Sequence, residues 1–211
     1  MTISRQDRMK TVMAFDFTSF EFSPVIHLPP EFEIYDFSSG YDPDRYRSSA
    51  YGIGRYNERR PGMYSTEIFT GSGAPREIHV GIDIAAPVGT PVHAFYNGRV
   101  LLTGINAAAG DYGGTIITEH LLEDRLIWAL HGHLSHESVR ARSIGESFAR
   151  GEVIAWIGDH LENGGWNPHL HFQLSWRRPD RCDLPGAVSV SDLASALEIY
   201  PDPRLVLGAL Y

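Results

Sequence analysis

The sequence predicts a mainly β fold: an antiparallel β-sheet or sandwich in the middle of the chain, with an irregular N-terminal wrap and a short C-terminal helix. Between residues 75 and 178, short stretches alternate apolar and polar residues, and Gly-rich turns separate them. Sustained 3.6-residue helical patterns are nearly absent there. The 211 residues, 43% of them apolar and 21% charged, suit one sizeable domain with extensions.

Residues 1–74 are predicted to be an N-terminal extension that packs on the main domain or forms a lid over it. Five prolines interrupt any regular element in this region. Four tyrosines fall between Tyr41 and Tyr56, which is too many aromatic residues for a disordered linker. An alternative interpretation is that a residue of this region reaches the functional site and contacts substrate: Arg55, Arg59, Arg60 or Tyr64.

Residues 75–180 contain the predicted strands. The stretch IHVGIDIAA has period two, and further strands flank two predicted hairpin turns, at Asn97-Gly98 and at Glu123-Asp124. Residues 181–211 are predicted to form one short helix, within SDLASALEIY and capped by Ser191, followed by an extended closing segment.

Charge and targeting signals narrow the class of protein. The formal net charge is −8, so the chain has no basic footprint for nucleic acid or for anionic membranes. No stretch approaches the roughly 20 apolar residues of a membrane span, and the first 20 residues show no apolar core of a secretory signal. Cys182 is the only cysteine, so no intrachain disulfide can form. These observations favour a cytoplasmic location.

His79 and Asp83 form the first half of a candidate metal site. On a straight strand they would share a face but lie ~13 Å apart, whereas donor atoms on one zinc ion lie ~2.0–2.2 Å from it. The strand must therefore bend between them, and Gly81 is placed to permit a bulge or a kink.

Two H-x-H pairs complete the candidate site. His169 and His171 would share a strand face at a spacing of ~6.6 Å, which lets two imidazoles converge. The same spacing recurs in His131 and His133, and strand alternation places that pair on one face. A chain with ten histidines produces such a pair by chance fairly often, so the ordered set of motifs matters more than any one of them.

That ordered set resembles the M23 metallopeptidases, the lysostaphin-like and LytM-like zinc enzymes. HVGIDIAAPVGTPV, NGRV, GHLS, GEVIAWIG and PHLHF occur in this order between residues 78 and 174. The resemblance implies the antiparallel fold called a duplicated hybrid motif and a single zinc ion bound by His79, Asp83 and His171. It also implies that His133 and His169 are the non-ligand catalytic histidines, one of which moves the proton while the other stabilises the oxyanion.

The M23 pattern usually has tyrosine where this chain has His131. We favour a surface replacement as the role of this histidine; the alternatives are a partner that supports the site residues or contacts substrate, and an extra proton carrier.

The resemblance leaves three functions open. The one we favour is a zinc-dependent hydrolase that cleaves a peptide or amide bond with a metal-activated water, in a small intracellular amino compound. The alternatives are a peptidoglycan endopeptidase and a zinc-binding M23-like protein with a non-peptidase role. The acidic charge fits an anionic wall polymer poorly. Three stretches, GIGRYNERRPGMYSTEIF, NGGWNPHLHFQL and YPDPRLVLGALY, also resemble the M23-like segment of bacterial fusion proteins. That resemblance implies a kinase and a class III aminotransferase as functional partners.

Overall fold

The computed structural model describes residues 15–42, 51–71 and 73–211. The expected absence of a secretory signal rests mostly on residues 1–14, which lie outside the described residues. Within the described ranges, no helix is both long enough and apolar enough to cross a membrane.

The described residues are mainly β, as the sequence predicts. The strands are β1 (Glu33–Ile34), β2 (Gly52–Gly54), β3 (Glu58–Arg59), β4 (Ile78–His79), β5 (Ile82–Ala85), β6 (Pro91–His93), β7 (Gly98–Asn106), β8 (Gly113–Leu122), β9 (Arg125–Leu134), β10 (Ser147–Phe148), β11 (Val153–Trp156), β12 (His169–Ser175) and β13 (Ala187–Val188). The helices are short: α1 (Glu67–Thr70), α2 (His136–Arg140), α3 (Leu193–Ile199) and α4 (Arg204–Leu207).

One large sheet organises these elements. Its strand order is β1-β2-β5-β12-β9-β8-β7-β10, and every pair is antiparallel except β1 with β2. A smaller sheet of order β13-β4-β3 lies beside it, and β6 pairs separately with β11. The long strands β8, β9 and β12 are neighbours in the middle of the large sheet, and apolar residues from all three are buried in the main core.

The two faces of the large sheet have different roles. On β12, Leu170, Phe172 and Leu174 are fully buried in the main apolar core. The alternate residues His171 and Gln173 point to the opposite face, which is also covered. This period-two division is what the H-L-H-F pattern predicts.

The chain changes sheets between β4 and β5. His79 ends a strand of the small sheet and Asp83 lies on a strand of the large sheet, so Val80 and Gly81 form the crossing point. The bend that the sequence requires between these two residues is thus a switch between sheets. Gly81 does not have a left-handed backbone conformation. Glycine fits this position because any side chain would clash with the His171 ring: a Cβ would lie 2.5 Å from its Cε1 atom.

Of the two predicted hairpins, one is confirmed and one is wrong. β8 and β9 are joined at Glu123-Asp124, and Glu123 has a φ of 55°. The strands flanking Asn97-Gly98 do not pair with each other, because β6 pairs with β11 and β7 pairs with β8 and β10. The Asn97 side chain accepts a hydrogen bond from the backbone of Arg150, so this segment is a connection between sheets.

The C-terminal region contains two short helices where the sequence predicts one. α3 confirms the predicted helix, but its N-cap residue is Asp192 and not Ser191. The expected extended closing segment instead contains α4, which follows Pro203. In the N-terminal region, β1 and β2 extend the edge of the large sheet. The three-part division at residues 74 and 180 stays a prediction.

Candidate active site

Three predicted ligands converge on one point. The facing atoms are Nε2 of His79, Nδ1 of His171 and Oδ1 of Asp83, and they lie 2.9, 3.1 and 3.2 Å from one another. Ligands ~2.0–2.1 Å from a tetrahedral zinc ion are separated by about 3.3 Å. Both imidazoles are buried, and of the described residues only this group meets the geometric requirement for a metal site.

Backbone and amide partners fix which nitrogen of each ligand histidine carries the proton. Nδ1 of His79 lies 2.9 Å from the carbonyl oxygen of Arg55 and must donate to it. Nε2 of His171 lies 3.1 Å from Oε1 of Gln173, whose own amide group donates to the carbonyl of Pro185. The lone pairs of both rings therefore point at each other and at a carboxylate. This arrangement of acceptors fits a cation, and N2O donors are a set that zinc prefers.

Asp83 is held in place by a fully buried arginine. Nη1 of Arg60 donates to Oδ2 of Asp83 at 2.6 Å, which leaves Oδ1 for the metal site. The same guanidinium donates through Nε to buried Glu58, through Nη1 to Tyr64 and through Nη2 to the carbonyl of Arg55. Arg60 therefore lies beside the candidate site with its hydrogen bonds made to the protein itself, and its expected contact with substrate stays a prediction.

The electrostatics keep the ligands in their metal-binding forms. Burial, and then the charge of Arg60, lower the pKa of His79 to about 4, so the ring is neutral at pH 7. Burial by itself raises the pKa of the Asp83 carboxyl. The positive charges that His79 and Arg60 can carry outweigh it and hold that pKa well below its ordinary value.

His133 and His169 lie beside the three ligands, with their rings 4.1 Å apart between centroids. Nε2 of His169 is 3.8 Å from Oδ1 of Asp83. Burial lowers the pKa of His133 well below its ordinary value, and the charge of His169 adds to this effect. Burial also lowers the pKa of His169, against the opposing charge of Asp83. A neutral imidazole can accept a proton and later release it, so two of them beside the metal position are suited to acid–base catalysis.

His131 does not belong to this group, and the prediction that it shares a face with His133 is wrong. Two residues of β9, Gly132 and His133, oppose the single residue Thr115 of β8, which makes a β-bulge. His133 has a φ of 63°, so the backbone turns its side chain into the site. The bulge breaks the alternation, and His131 faces the main core instead.

The environment of His131 excludes both substrate contact and a surface role. The residue is 0% exposed, and its ring packs against Phe172 at 5.3 Å between centroids. Among the described residues neither ring nitrogen has a hydrogen-bond partner of acceptable geometry, although the backbone of Ile116 and Ala129 lies close. Burial, and then the charge of His120, lower the pKa of His131 to about 3, so it is a neutral core residue.

One cavity of about 510 Å³ adjoins the metal-site residues. Of the other predicted site residues, its lining includes Arg60, Tyr64, His133 and His169. Tyr64 contributes to its wall together with Phe69 and Trp166. Tyr112 was not predicted, yet its ring lies 5.0 Å from that of His171 between centroids. Gln173 was also missed, although its position two residues after His171 on the same strand face was a usable signal. Nothing in the sequence pattern marked Tyr112 or Glu58.

A family comparison covers the strands that carry this constellation. The model of peptidase family M23 matches residues 77–183, which is half of the chain, and the chain belongs to this family. The match contains the five residues His79, Asp83, His133, His169 and His171.

The matches to two named relatives each cover about half of this chain. The DD-carboxypeptidase/endopeptidase Mpg of Neisseria meningitidis is 37% identical over 97 residues, which are 46% of this chain and 20% of that protein. The peptidoglycan DD-endopeptidase ShyA of Vibrio cholerae is 34% identical over 121 residues, covering 53% of this chain and 24% of its own. The chain thus spans about a fifth to a quarter of these relatives. The catalytic domain of lysostaphin from Staphylococcus simulans superimposes with a TM-score of 0.48 at 22% identity, covering 75% of this chain and 93% of that domain.

Proposed function

We propose that this chain is a zinc-dependent peptidase that cleaves a peptide bond in the cross-links or stem peptides of peptidoglycan. The observation that carries the proposal is the meeting of two imidazole lone pairs and one carboxylate oxygen at 2.9–3.2 Å. Three protein ligands leave a fourth position open, which is the pattern of catalytic zinc sites. The choice of substrate is supported by the names of the relatives, which include a peptidoglycan DD-endopeptidase.

In this proposal His79, Asp83 and His171 hold the zinc ion, and His133 and His169 act on the substrate. A bound zinc ion supplies a Lewis acid that polarises the carbonyl under attack and makes water nucleophilic near neutral pH. Nε2 of His133 and of His169 faces the cavity without a proton. One of these nitrogens takes the proton from the attacking water and delivers it to the leaving amine. The other would donate to the developing oxyanion only after it binds a further proton from solvent.

A second candidate is hydrolysis of an amide bond in a small intracellular amino compound. The cavity volume of about 510 Å³ is in the range of small-molecule sites, and one wall is largely apolar, formed by Met63, Tyr64, Ile68 and Phe69. The net charge of −8 also disfavours an anionic polymer. Functional partnership with a kinase and a class III aminotransferase, and a cytoplasmic location, belong to this candidate; a gene neighbourhood containing both enzymes would support it.

Incubation of the zinc-loaded protein with purified peptidoglycan and, separately, with a panel of dipeptides and acyl amines distinguishes the two candidates. We expect muropeptides from peptidoglycan and one zinc ion per chain. His171→Ala should lose both zinc and activity, whereas His133→Ala should keep zinc and lose activity. His160→Ala, which changes an exposed histidine outside the site, is the control and should resemble the wild type.

Each outcome has a defined meaning. Turnover of a small amide without release of muropeptides would replace the first candidate by the second. Stoichiometric zinc with no hydrolysis of any substrate would favour the third function, a zinc-binding protein with a non-peptidase role. Wild-type zinc content in His171→Ala would show that the ligand set is wrong.

A further inference from the structure

The loop of residues 163–167 accepts a hydrogen bond from each of the two non-ligand histidines, His133 and His169. Nδ1 of His133 lies 2.8 Å from the backbone carbonyl oxygen of Asn163, and Nδ1 of His169 lies 2.6 Å from that of Asn167. A carbonyl oxygen only accepts, so both rings must carry their proton on Nδ1. Their Nε2 atoms then present lone pairs to the cavity, which is the form a proton acceptor requires.

The side chain of Asn163 folds this loop. Its Oδ1 accepts hydrogen bonds from the backbone of Gly165 at 3.1 Å and of Trp166 at 3.0 Å, and its Nδ2 donates to the carbonyl of Trp166 at 2.9 Å. Asn163 is 0% exposed, and these three bonds use its amide group almost completely. The side chain thus fixes the short segment whose two ends carry the carbonyls that hold the histidines.

The rest of the protein anchors the loop. Gly110 donates to the carbonyl of Gly164 at 2.8 Å, and the indole of Trp166 donates to the carbonyl of Gly110 at 3.0 Å. Gly164 has a φ of 81°, and a Cβ there would lie 1.9 Å from the carbonyl oxygen of Asp111, so no other residue fits. The loop is therefore held from outside as well as by the side chain of Asn163.

We propose that Asn163 is a positioning residue that sets the protonation pattern of both His133 and His169 through the loop it folds. The two histidines lie on different strands, β9 and β12, and each alone could take either tautomer. One loop with two carbonyls selects the same tautomer for both and aims both Nε2 atoms at the same space. This inference rests on the proposed hydrolytic function for its consequence, but the tautomers are a property of the folded chain itself.

The test compares Asn163→Ala with the wild type by nitrogen-15 NMR of the histidine rings in the zinc-loaded protein. We expect both His133 and His169 to be protonated on Nδ1 in the wild type, and at least one of them to become a tautomer mixture in the variant. With a substrate in hand, kcat should fall by about 10–100-fold, as for other partner groups that orient functional side chains, while KM and zinc content stay close to wild-type values.

Two further variants separate positioning from folding. Asn163→Asp keeps the acceptor for Gly165 and Trp166 but loses the donor to the Trp166 carbonyl, so it should give an intermediate tautomer shift even if the alanine variant fails to fold. Leu161→Ala changes an exposed residue just before the loop and should leave the tautomers and kcat unchanged.

Wild-type tautomers in both Asn163 variants would overturn the proposal, as would protonation on Nε2 of either histidine in the wild type. A wild-type protein that shows the expected tautomers but hydrolyses nothing would instead contradict the proposed function alone.

Discussion

Arg59 and Arg60 are neighbours in the sequence but occupy opposite environments. The side chain of Arg60 is 0% exposed and pairs with two carboxylates, Glu58 and Asp83. Arg59 is 65% exposed and pairs with Glu77 at the surface. This pair of residues allows a buried ion network to be compared with an exposed ion pair at adjacent positions of one chain.

We predict that Arg60→Gln lowers the free energy of unfolding of the metal-free protein by about 3–5 kcal/mol, because the Asp83 carboxylate loses its arginine and buried Glu58 keeps only the partly exposed Arg55. Arg59→Gln should cost less than about 1 kcal/mol, the value typical of exposed pairs. Urea unfolding in the presence of a chelator measures both values. Equal losses in the two variants would contradict a supporting role for Arg60.

Sequence patterns single out the candidate ligands but cannot predict this support. H-x-x-x-D and H-x-H are local patterns, and their geometry follows from the periods of strands. The contact of Arg60 with Asp83 joins residues 23 positions apart across an irregular segment. Arg60 and Tyr64 were expected at the site as substrate contacts, since no sequence pattern shows that the donors of Arg60 are already used.

At the scale of elements, the site depends on two interruptions of regular strands. The first is the switch between sheets at Val80-Gly81, and the requirement for a bend predicts its position. The second is the bulge at Gly132-His133, which no pattern announces, because a histidine at a φ of 63° looks in sequence like any strand residue. Strand alternation therefore gave the correct face for His169 and His171 and the wrong relation between His131 and His133. Residues in such strained conformations often lie at functional sites.

We predict that Gly81→Ala weakens zinc binding at least 10-fold, in the range found when groups that orient metal ligands are disturbed. The added Cβ would lie 2.5 and 2.6 Å from Cε1 and Nε2 of His171, so the ring must move away from its partner Gln173. Competition with a chromogenic chelator measures the dissociation constant.

The matched control for Gly81→Ala is Gly73→Ala, where no atom lies within 4 Å of the new Cβ. We expect this variant to bind zinc like the wild type. If both alanine variants keep wild-type affinity, the close approach of Gly81 to the His171 ring does not matter for the site.

At the scale of the whole molecule, the site joins two sheets. His79 belongs to the three-stranded sheet, whereas Asp83 and His171 lie on paired strands of the eight-stranded sheet. A zinc ion bound to all three would therefore connect the sheets as well as serve catalysis.

General composition and strand patterns predict the mainly β class, but the assignment of strands to separate sheets depends on long-range pairing. The turn at Asn97-Gly98 illustrates this, because its local hairpin signal is overridden by pairing with strands more distant in sequence.

This connection predicts a zinc-dependent gain in stability. Ligand at 100 times its dissociation constant stabilises a folded protein by about 2.7 kcal/mol, which raises Tm by about 5–10 °C for a chain of this size. We expect that gain for the wild type in calorimetry, and none for His171→Ala. His160→Ala should show the full wild-type gain, since it removes a histidine outside the site.

Hydrogen exchange should localise the effect: zinc should slow exchange in β3, β4 and β13 of the small sheet, because their opening would require release of the ion. A zinc-dependent Tm shift that persists in His171→Ala, or protection confined to the large sheet, would contradict a metal link between the two sheets.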